Sequence, residues 1–375
     1  MLKSHPELLN ISSTSNIELF NIGQKVIEGQ RISFDEGVFL YHNADLPLLG
    51  TLANFIREKF NSNSAYFIKN IHIEYTNICI NKCVFCSFRS KSDKDAWALN
   101  ADEILSLVQK GVAEGIREVH IVGAIHPDKD LYFWLPILKK IKTQFPHLHI
   151  KAFTAAEIDY LISKAGLTLS EGMRLLIDNG LNSIPGGGAE IFDDAIRQKL
   201  FPTKIGWKRW LEIHRAAHLA GVSSNATMLY GHIETIENRI FHLDKLRALQ
   251  DETMGFNAFI PLKYKNQNND LKDIKETSLS EDLKMYALSR IYLDNFPHIK
   301  AYWPMMGKEA SLMALDFGAD DMDGTINNTT SIYSKAGSSE QKPQMNEEEI
   351  ISLLNEYRKI PVERDGVYNV IHKWT

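Results

Sequence analysis

The sequence predicts an α/β protein built on a (β/α)8 barrel, with an N-terminal helical cap and a C-terminal extension. Three observations point there. From Asn70 onward, short β-branched and aromatic runs alternate with longer stretches of helical periodicity, the pattern of a parallel sheet with crossover helices. Eight such runs occur before Thr325, in a span close to the roughly 250 residues typical of a (β/α)8 barrel. The unusual residue clusters fall just after these runs, where the loops of a parallel barrel converge on its carboxyl face. An open doubly wound sheet is the alternative arrangement of the same elements.

Residues 1–65 read as the cap. Ser33 and Glu36 have capping-box spacing, and the apolar stretch Leu46–Ile56 predicts a second helix, with no sheet signal in this part. Residues 66–325 read as the barrel. Its strand candidates are Ile71–Thr76, Glu118–Gly123, His149–Thr154, Leu181–Ile184, Ser223–Leu229, Phe256–Leu262, Ile299–Trp303 and Asp321–Gly324. Helical patterns lie between them, as in Thr235–Gln250 with Ile236, Ile240, Leu243 and Leu246 on one face. The polar segment Tyr264–Thr277 reads as a mobile loop. Residues 326–375 form the extension: an irregular Ser/Asn/Thr-rich stretch to Asn346, then a helix and a short polar tail.

With 375 residues, 44% of them hydrophobic, the chain has material for a core of this size. A net charge of -5 offers no basic surface for nucleic acid. No apolar run approaches the roughly 18 residues that span a bilayer, and the first residues lack the basic-then-apolar order of a secretion signal. The expectation is a cytoplasmic protein with neither nucleic acid nor membrane as partner.

Only three cysteines occur, arranged Cys79-x3-Cys83-x2-Cys86 directly after the first barrel strand. An odd, clustered count is a poor disulfide framework. Thiolates are soft ligands suited to iron–sulfur clusters or zinc. A structural zinc site usually takes four ligands, so zinc here would need a distant histidine. A cubane cluster held by three cysteines leaves one iron open to a small molecule. A non-catalytic zinc-binding scaffold protein is the alternative.

The triplet, with Phe85 just before its last cysteine, resembles the signature of the radical S-adenosylmethionine (SAM) superfamily. Further strings narrow the resemblance: His120–Asp128, Ile150–Ile158, Ser183–Glu190, Ser224–Thr235 and Phe256–Leu262. They resemble the menaquinone branch of the futalosine pathway, nearest to the aminodeoxyfutalosine synthase family. The cyclic dehypoxanthinylfutalosine synthases come next, and the enzymes of deazaflavin assembly are more distant. The resemblance implies a [4Fe–4S] cluster on Cys79, Cys83 and Cys86, and SAM as a consumed co-substrate. It implies a transferase reaction. The 5′-deoxyadenosyl radical adds to 3-[(1-carboxyvinyl)oxy]benzoate, and rearrangement and decarboxylation give 6-amino-6-deoxyfutalosine and methionine. The partners implied are an aromatic dicarboxylate substrate and a reductant such as flavodoxin or ferredoxin. One departure stands out: Gly123-Ala124 replaces a Gly-Gly pair, which alanine tolerates only at negative φ.

Candidate roles follow. Phe85, Gly123 and Glu190 are expected to bind the cofactor. Glu190 closes the glycine turn Pro185–Glu190, from which a carboxylate can accept hydrogen bonds from ribose hydroxyls. His126 and His232 are the candidate catalytic proton carriers, with a satisfied structural histidine as the alternative for each. Glu234 suits the N-terminus of the following helix. Two substrate carboxylates call for cationic or amide donors inside the barrel. Strand alternation turns Ser223, Asn225 and Thr227 inward, opposite Ala226 and Met228. The same parity nominates Glu74, Thr76, His120, Lys151 and Lys300. The expected substrate set is Glu74, Thr76, Lys151, Asn225 and Thr227, with Glu74 paired to Lys151.

Overall fold

The computed structural model describes residues 16–327 and 329–375. The part of the expected cap in residues 1–15 lies outside the described residues. Three helices follow: Ile17–Ile27, Phe34–Asn43 and Leu46–Asn61, capped by Asn16, Ser33 and Asp45. The Ser33/Glu36 capping box forms as expected, satisfying two backbone donors reciprocally.

The barrel strands are β2 (Asn70–Glu74), β3 (Glu118–Val122), β4 (His149–Ala152), β5 (Ser183–Ile184), β6 (Ser223–Tyr230), β7 (Phe256–Lys263) and β8 (His298–Ile299). They form one parallel sheet in sequential order. Helices cross between successive strands, and the helix Ile236–Thr253 buries Ile240, Leu243 and Leu246 as its pattern predicts, with Ile236 half-buried at its start. The expected run Ile299–Trp303 is shorter as a strand. It covers His298–Ile299, and Trp303–Met306 turns into a helix with Pro304 in its first turn.

A second sheet overturns two expectations. It runs β11-β10-β1-β9, with β1 (Ser64–Ile68), β9 (Asp321–Gly324), β10 (Ile360–Arg364) and β11 (Val370–Lys373). The segment before residue 66 therefore does hold sheet, and the C-terminal segment is a helix (Glu347–Glu356) followed by two strands rather than a polar tail. Strand β9 joins the two sheets. On one side its Asp321 bridges Lys300, where the Ala301 N–H donates to the Asp321 carbonyl at 2.7 Å. On the other it pairs with β1, and the Thr325 N–H donates to the Ile68 carbonyl at 3.0 Å. Because only Lys69 separates β1 from β2, this contact brings the eighth strand round to the first. Trp134, Trp210 and Trp303 are fully buried in the surrounding core.

The segment Tyr264–Thr277 is tied into the barrel mouth. The Asp270 N–H donates to the Val84 carbonyl at 2.8 Å, the Gln267 N–H to the Ala336 carbonyl at 3.2 Å, and Asn269 is buried. The expectation of a mobile loop therefore misses these ties. Among the described residues, no helix is long and apolar enough to cross a membrane.

Candidate active site

The loops beyond the carboxyl ends of the strands enclose a cavity of about 320 Å³. Cys79, Cys83 and Cys86 all line it, together with Phe85, Gly123, Lys151, Glu190, Asn225 and Thr227.

The cysteine loop is fixed at its base by Asn77. The Asn77 side chain accepts from the Trp97 N–H at 2.9 Å and donates to the Asp95 carbonyl at 2.7 Å. The loop itself is pinned from both flanks. Ile80 N–H donates to Ile125 O at 3.0 Å, and Val84 N–H to Leu200 O at 2.9 Å. All three cysteines are free of disulfides. Burial raises the Cys79 thiol and pushes Cys83 up to about 12, with Lys204 pulling the other way in both. A thiolate at these positions calls for a cationic partner.

Opposite the cysteines is the glycine turn. A Cβ on Gly186 would lie 2.7 Å from the Asn225 carbonyl, so only glycine lets the turn press against β6. The turn is held from behind: Thr227 Oγ1 donates to the Gly186 carbonyl at 2.7 Å and Trp210 Nε1 to the Gly187 carbonyl at 3.2 Å. Glu190 closes it at φ +51°, its carboxylate ion-paired with Lys204. Burial alone would lower the Lys204 ammonium, but Glu190 and then Cys83 raise it, so Lys204 stays charged. The neighbouring strand edge is set by Glu157. Its carboxylate accepts from Tyr75 Oη at 2.8 Å, Gly123 N–H at 3.2 Å and Thr154 N–H at 2.7 Å. Burial raises the Glu157 carboxyl to about 6 against the pull of these donors. Ala124 is absent from the positive-φ residues, so the departure from Gly-Gly costs no backbone strain.

Four expected site residues fall elsewhere. Glu74 does not pair with Lys151. Its carboxylate turns to the C-terminal segment, accepting from Thr330 Oγ1 (2.7 Å), Ser331 Oγ (2.6 Å) and two backbone N–H groups. Lys151 instead donates to buried Glu118 at 2.6 Å; burial would raise the Glu118 carboxyl, but Lys151 together with His149, Arg364 and Lys300 holds it well below its usual range. Thr76 donates to the Trp97 carbonyl, bracing the cysteine loop. His126 lies outside the cavity lining, its Nδ1 accepting from the Asp128 N–H. His232 is packed against Glu234 at 3.0 Å, also outside the lining. Glu234 accepts from the Gly231 and His232 N–H groups and pairs with Arg239, which matches its expected place ahead of the helix.

Lys204, Glu157, His72, Asp323 and Tyr302 line the cavity without having been singled out. His72 shares the inward parity of Glu74, so alternation along β2 carried a signal for it. Lys204 sits on a turn between helices, where no periodicity marks it.

Thiols at a barrel mouth, a close glycine turn and a strand-end acid define a radical SAM site. Residues 73–246 match the model of the radical SAM superfamily, and residues 253–371 match the CofH/MqnC C-terminal region. The chain is 40% identical to an aminodeoxyfutalosine synthase of Thermus thermophilus, over 95% of this chain and 96% of that one. It is 38% identical to an aminodeoxyfutalosine synthase of Streptomyces coelicolor, over 94% and 93%. A crystal structure of methylornithine synthase superposes with a TM-score of 0.71 at 17% identity, covering 90% of this chain and 95% of that one, a likeness of fold. The chain belongs to the radical SAM superfamily, in the branch that carries the CofH/MqnC C-terminal region.

It is accordingly an enzyme that uses a [4Fe–4S] cluster and SAM. The residues present fit that group. Three thiols line one cavity, and among the described residues no three His, Cys, Asp or Glu side chains converge as a single ion requires. A cubane distributes its three thiolates over separate irons and needs no such convergence.

Proposed function

We propose that this enzyme is an aminodeoxyfutalosine synthase. It joins the adenosyl group of SAM to 3-[(1-carboxyvinyl)oxy]benzoate, with rearrangement and loss of one carboxylate, giving 6-amino-6-deoxyfutalosine and methionine for menaquinone synthesis. The observation that carries the reading is one cavity with two chemically distinct ends. The cysteine loop and glycine turn follow β2 and β5, while Lys151 on β4 and Lys300 just after β8 add ammonium groups to the same lining. Near full-length similarity to two synthases supports it.

When bound, the cluster supplies the electron that cleaves the sulfonium of SAM. Cys79, Cys83 and Cys86 hold it. Phe85, Gly123 and Glu190 bound the space for SAM, with Glu190, ion-paired to Lys204, accepting from the ribose hydroxyls. Thr227 acts through Gly186, fixing the turn rather than touching the substrate. Lys151 and Asn225 bind substrate carboxylate. The buried strand ends exclude water from reactive species. A low-potential carrier such as flavodoxin or ferredoxin delivers the electron, and the enzyme works in the cytoplasm.

The test is anaerobic turnover of the reconstituted enzyme with SAM and the carboxyvinyloxybenzoate, followed by mass analysis. Formation of 6-amino-6-deoxyfutalosine with methionine is expected. Consumption of SAM without that product overturns the reading.

A further inference from the structure

Behind the cysteine loop, the inner wall of the cavity carries polar groups that the fold leaves unsatisfied. His72 on β2, His120 on β3 and Lys151 on β4 are register partners across three adjacent strands. The His72 and His120 rings meet edge to face at 4.5 Å, and Tyr302 stacks over His72 at 6.1 Å. Nε2 of His72, Nε2 of His120 and Oδ2 of Asp323 are buried without a hydrogen-bond partner. His72 and Asp323 are each 6% exposed, and their nearest charged atoms are 3.7 Å apart, too far for a hydrogen bond. Asp323 Oδ2 faces His72, whereas buried polar atoms are normally paired, so the unpaired ring nitrogens of His72 and His120 on the cavity wall mark the place of a ligand.

The charges say what kind. Lys151 donates to Glu118 and Lys300 to Asp323, both at 2.6 Å, so each ammonium gives one of its three N–H donors to a carboxylate. Burial, then His72 and Lys151, hold His120 well below its ordinary value, so its imidazole is neutral. Burial would raise Asp323, but Lys300 holds it well below the usual carboxylate range. Two cations, Lys151 and Lys300, thus balance two anions, Glu118 and Asp323, and both lysines line the cavity. An entering carboxylate finds donors, whereas a cation would find two ammonium groups.

We propose that His72 and His120, backed by Lys151 and Lys300, form a preorganised seat for one carboxylate of the aromatic substrate, at the end of the cavity away from the cysteine loop. This rests on the synthase reading for the identity of that substrate. The seat holds the carboxylate that is retained, leaving the vinyl ether towards the glycine turn. Asp323 positions Lys300 and does not touch the ligand.

The seat is tested on the full-length, cluster-reconstituted enzyme by calorimetry with two probes, 3-hydroxybenzoate and its uncharged isostere 3-hydroxybenzamide. The acid is expected to bind at least about tenfold tighter than the amide, as charge-assisted hydrogen bonds are worth. His120→Phe is expected to lose about tenfold in acid affinity, to keep its amide and SAM affinities, and to match or exceed the wild type in thermal stability. It removes a polar atom that has no protein partner, so a merely structural histidine would not show this split. Equal binding of acid and amide by the wild type overturns the proposal without any variant. So does undiminished acid affinity in both His120→Phe and His72→Phe. A selective acid site in an enzyme that makes no aminodeoxyfutalosine keeps the seat and overturns the synthase reading. An active synthase with an unselective site does the reverse.

Discussion

The mouth and the inner wall of the same cavity are built by opposite strategies. At the mouth, function lies in contiguous strings: the cysteine loop Cys79–Cys86 and the glycine turn Pro185–Glu190, where backbone course matters as much as side chains. At the inner wall, the polar lining is assembled from single residues on β2, β3, β4 and β9 and beyond β8, brought side by side by strand register, with Lys151 and Lys300 ion-paired to Glu118 and Asp323. Damage at the mouth should abolish cofactor chemistry in a folded protein. Damage at the wall should be felt as stability or substrate affinity.

The largest effect expected is at the mouth. Cys79→Ala, Cys83→Ala or Cys86→Ala should each abolish cluster assembly and turnover, because no other cysteine exists to take over. Iron and sulfide analysis after anaerobic reconstitution checks this, with circular dichroism reporting the intact barrel. A full cluster in any one variant would contradict the assignment.

At the wall, Lys151→Met leaves the Glu118 carboxylate buried without its cation. Breaking such a pair costs about 3–5 kcal/mol, and Lys151→Met combined with Glu118→Gln should recover most of it. Urea denaturation of the two variants measures the difference. Equal losses in both would show that the lysine matters for packing rather than charge.

Back at the mouth, Glu190→Gln should weaken SAM binding by about 1.5–3 kcal/mol while leaving substrate affinity nearly unchanged. Calorimetry with each ligand separates the two, and unchanged SAM affinity would return Glu190 to a role in the turn alone.

The smallest effect is a pH dependence from Glu157, whose carboxyl rises from the ordinary 4.5 to about 6 on burial. A folded state that binds its proton more tightly gains stability that is full below about pH 4.5 and is lost as pH rises through about 6. The change amounts to about 2 kcal/mol. Relative to Glu157→Gln, the wild type should therefore lose stability across that window. Parallel pH profiles of the two proteins would remove Glu157 as the source.

The contrast also explains what the sequence made legible. Strand–helix alternation exposed the barrel, and the cysteine spacing exposed the mouth, because both signals are local. Of the three residues that parity along β6 turned inward, Asn225 and Thr227 line the cavity and Ser223 accepts from Asn257 instead, and parity had no means of finding that Thr227 donates to the Gly186 carbonyl. Glu74 was matched to the wrong partner because residues 330–332, which take its carboxylate, lie in a segment without periodicity. Lys151 found Glu118, the first residue of the neighbouring strand, a pairing that depends on register. Strand β1 was missed because it follows the helix Leu46–Asn61 after two residues and its partners lie far along the chain. Strand β10 contains Pro361, which argues against a strand in any local reading.

The central claim, that the two ends of the cavity serve an addition rather than a hydrogen abstraction, is tested most directly by following the adenosyl carbons. With SAM labelled in its adenosine carbons, productive turnover should place the label in 6-amino-6-deoxyfutalosine, with one equivalent of methionine and little free 5′-deoxyadenosine. Label recovered chiefly as free 5′-deoxyadenosine during productive turnover would contradict the synthase assignment and favour the related cyclase reaction on the same fold.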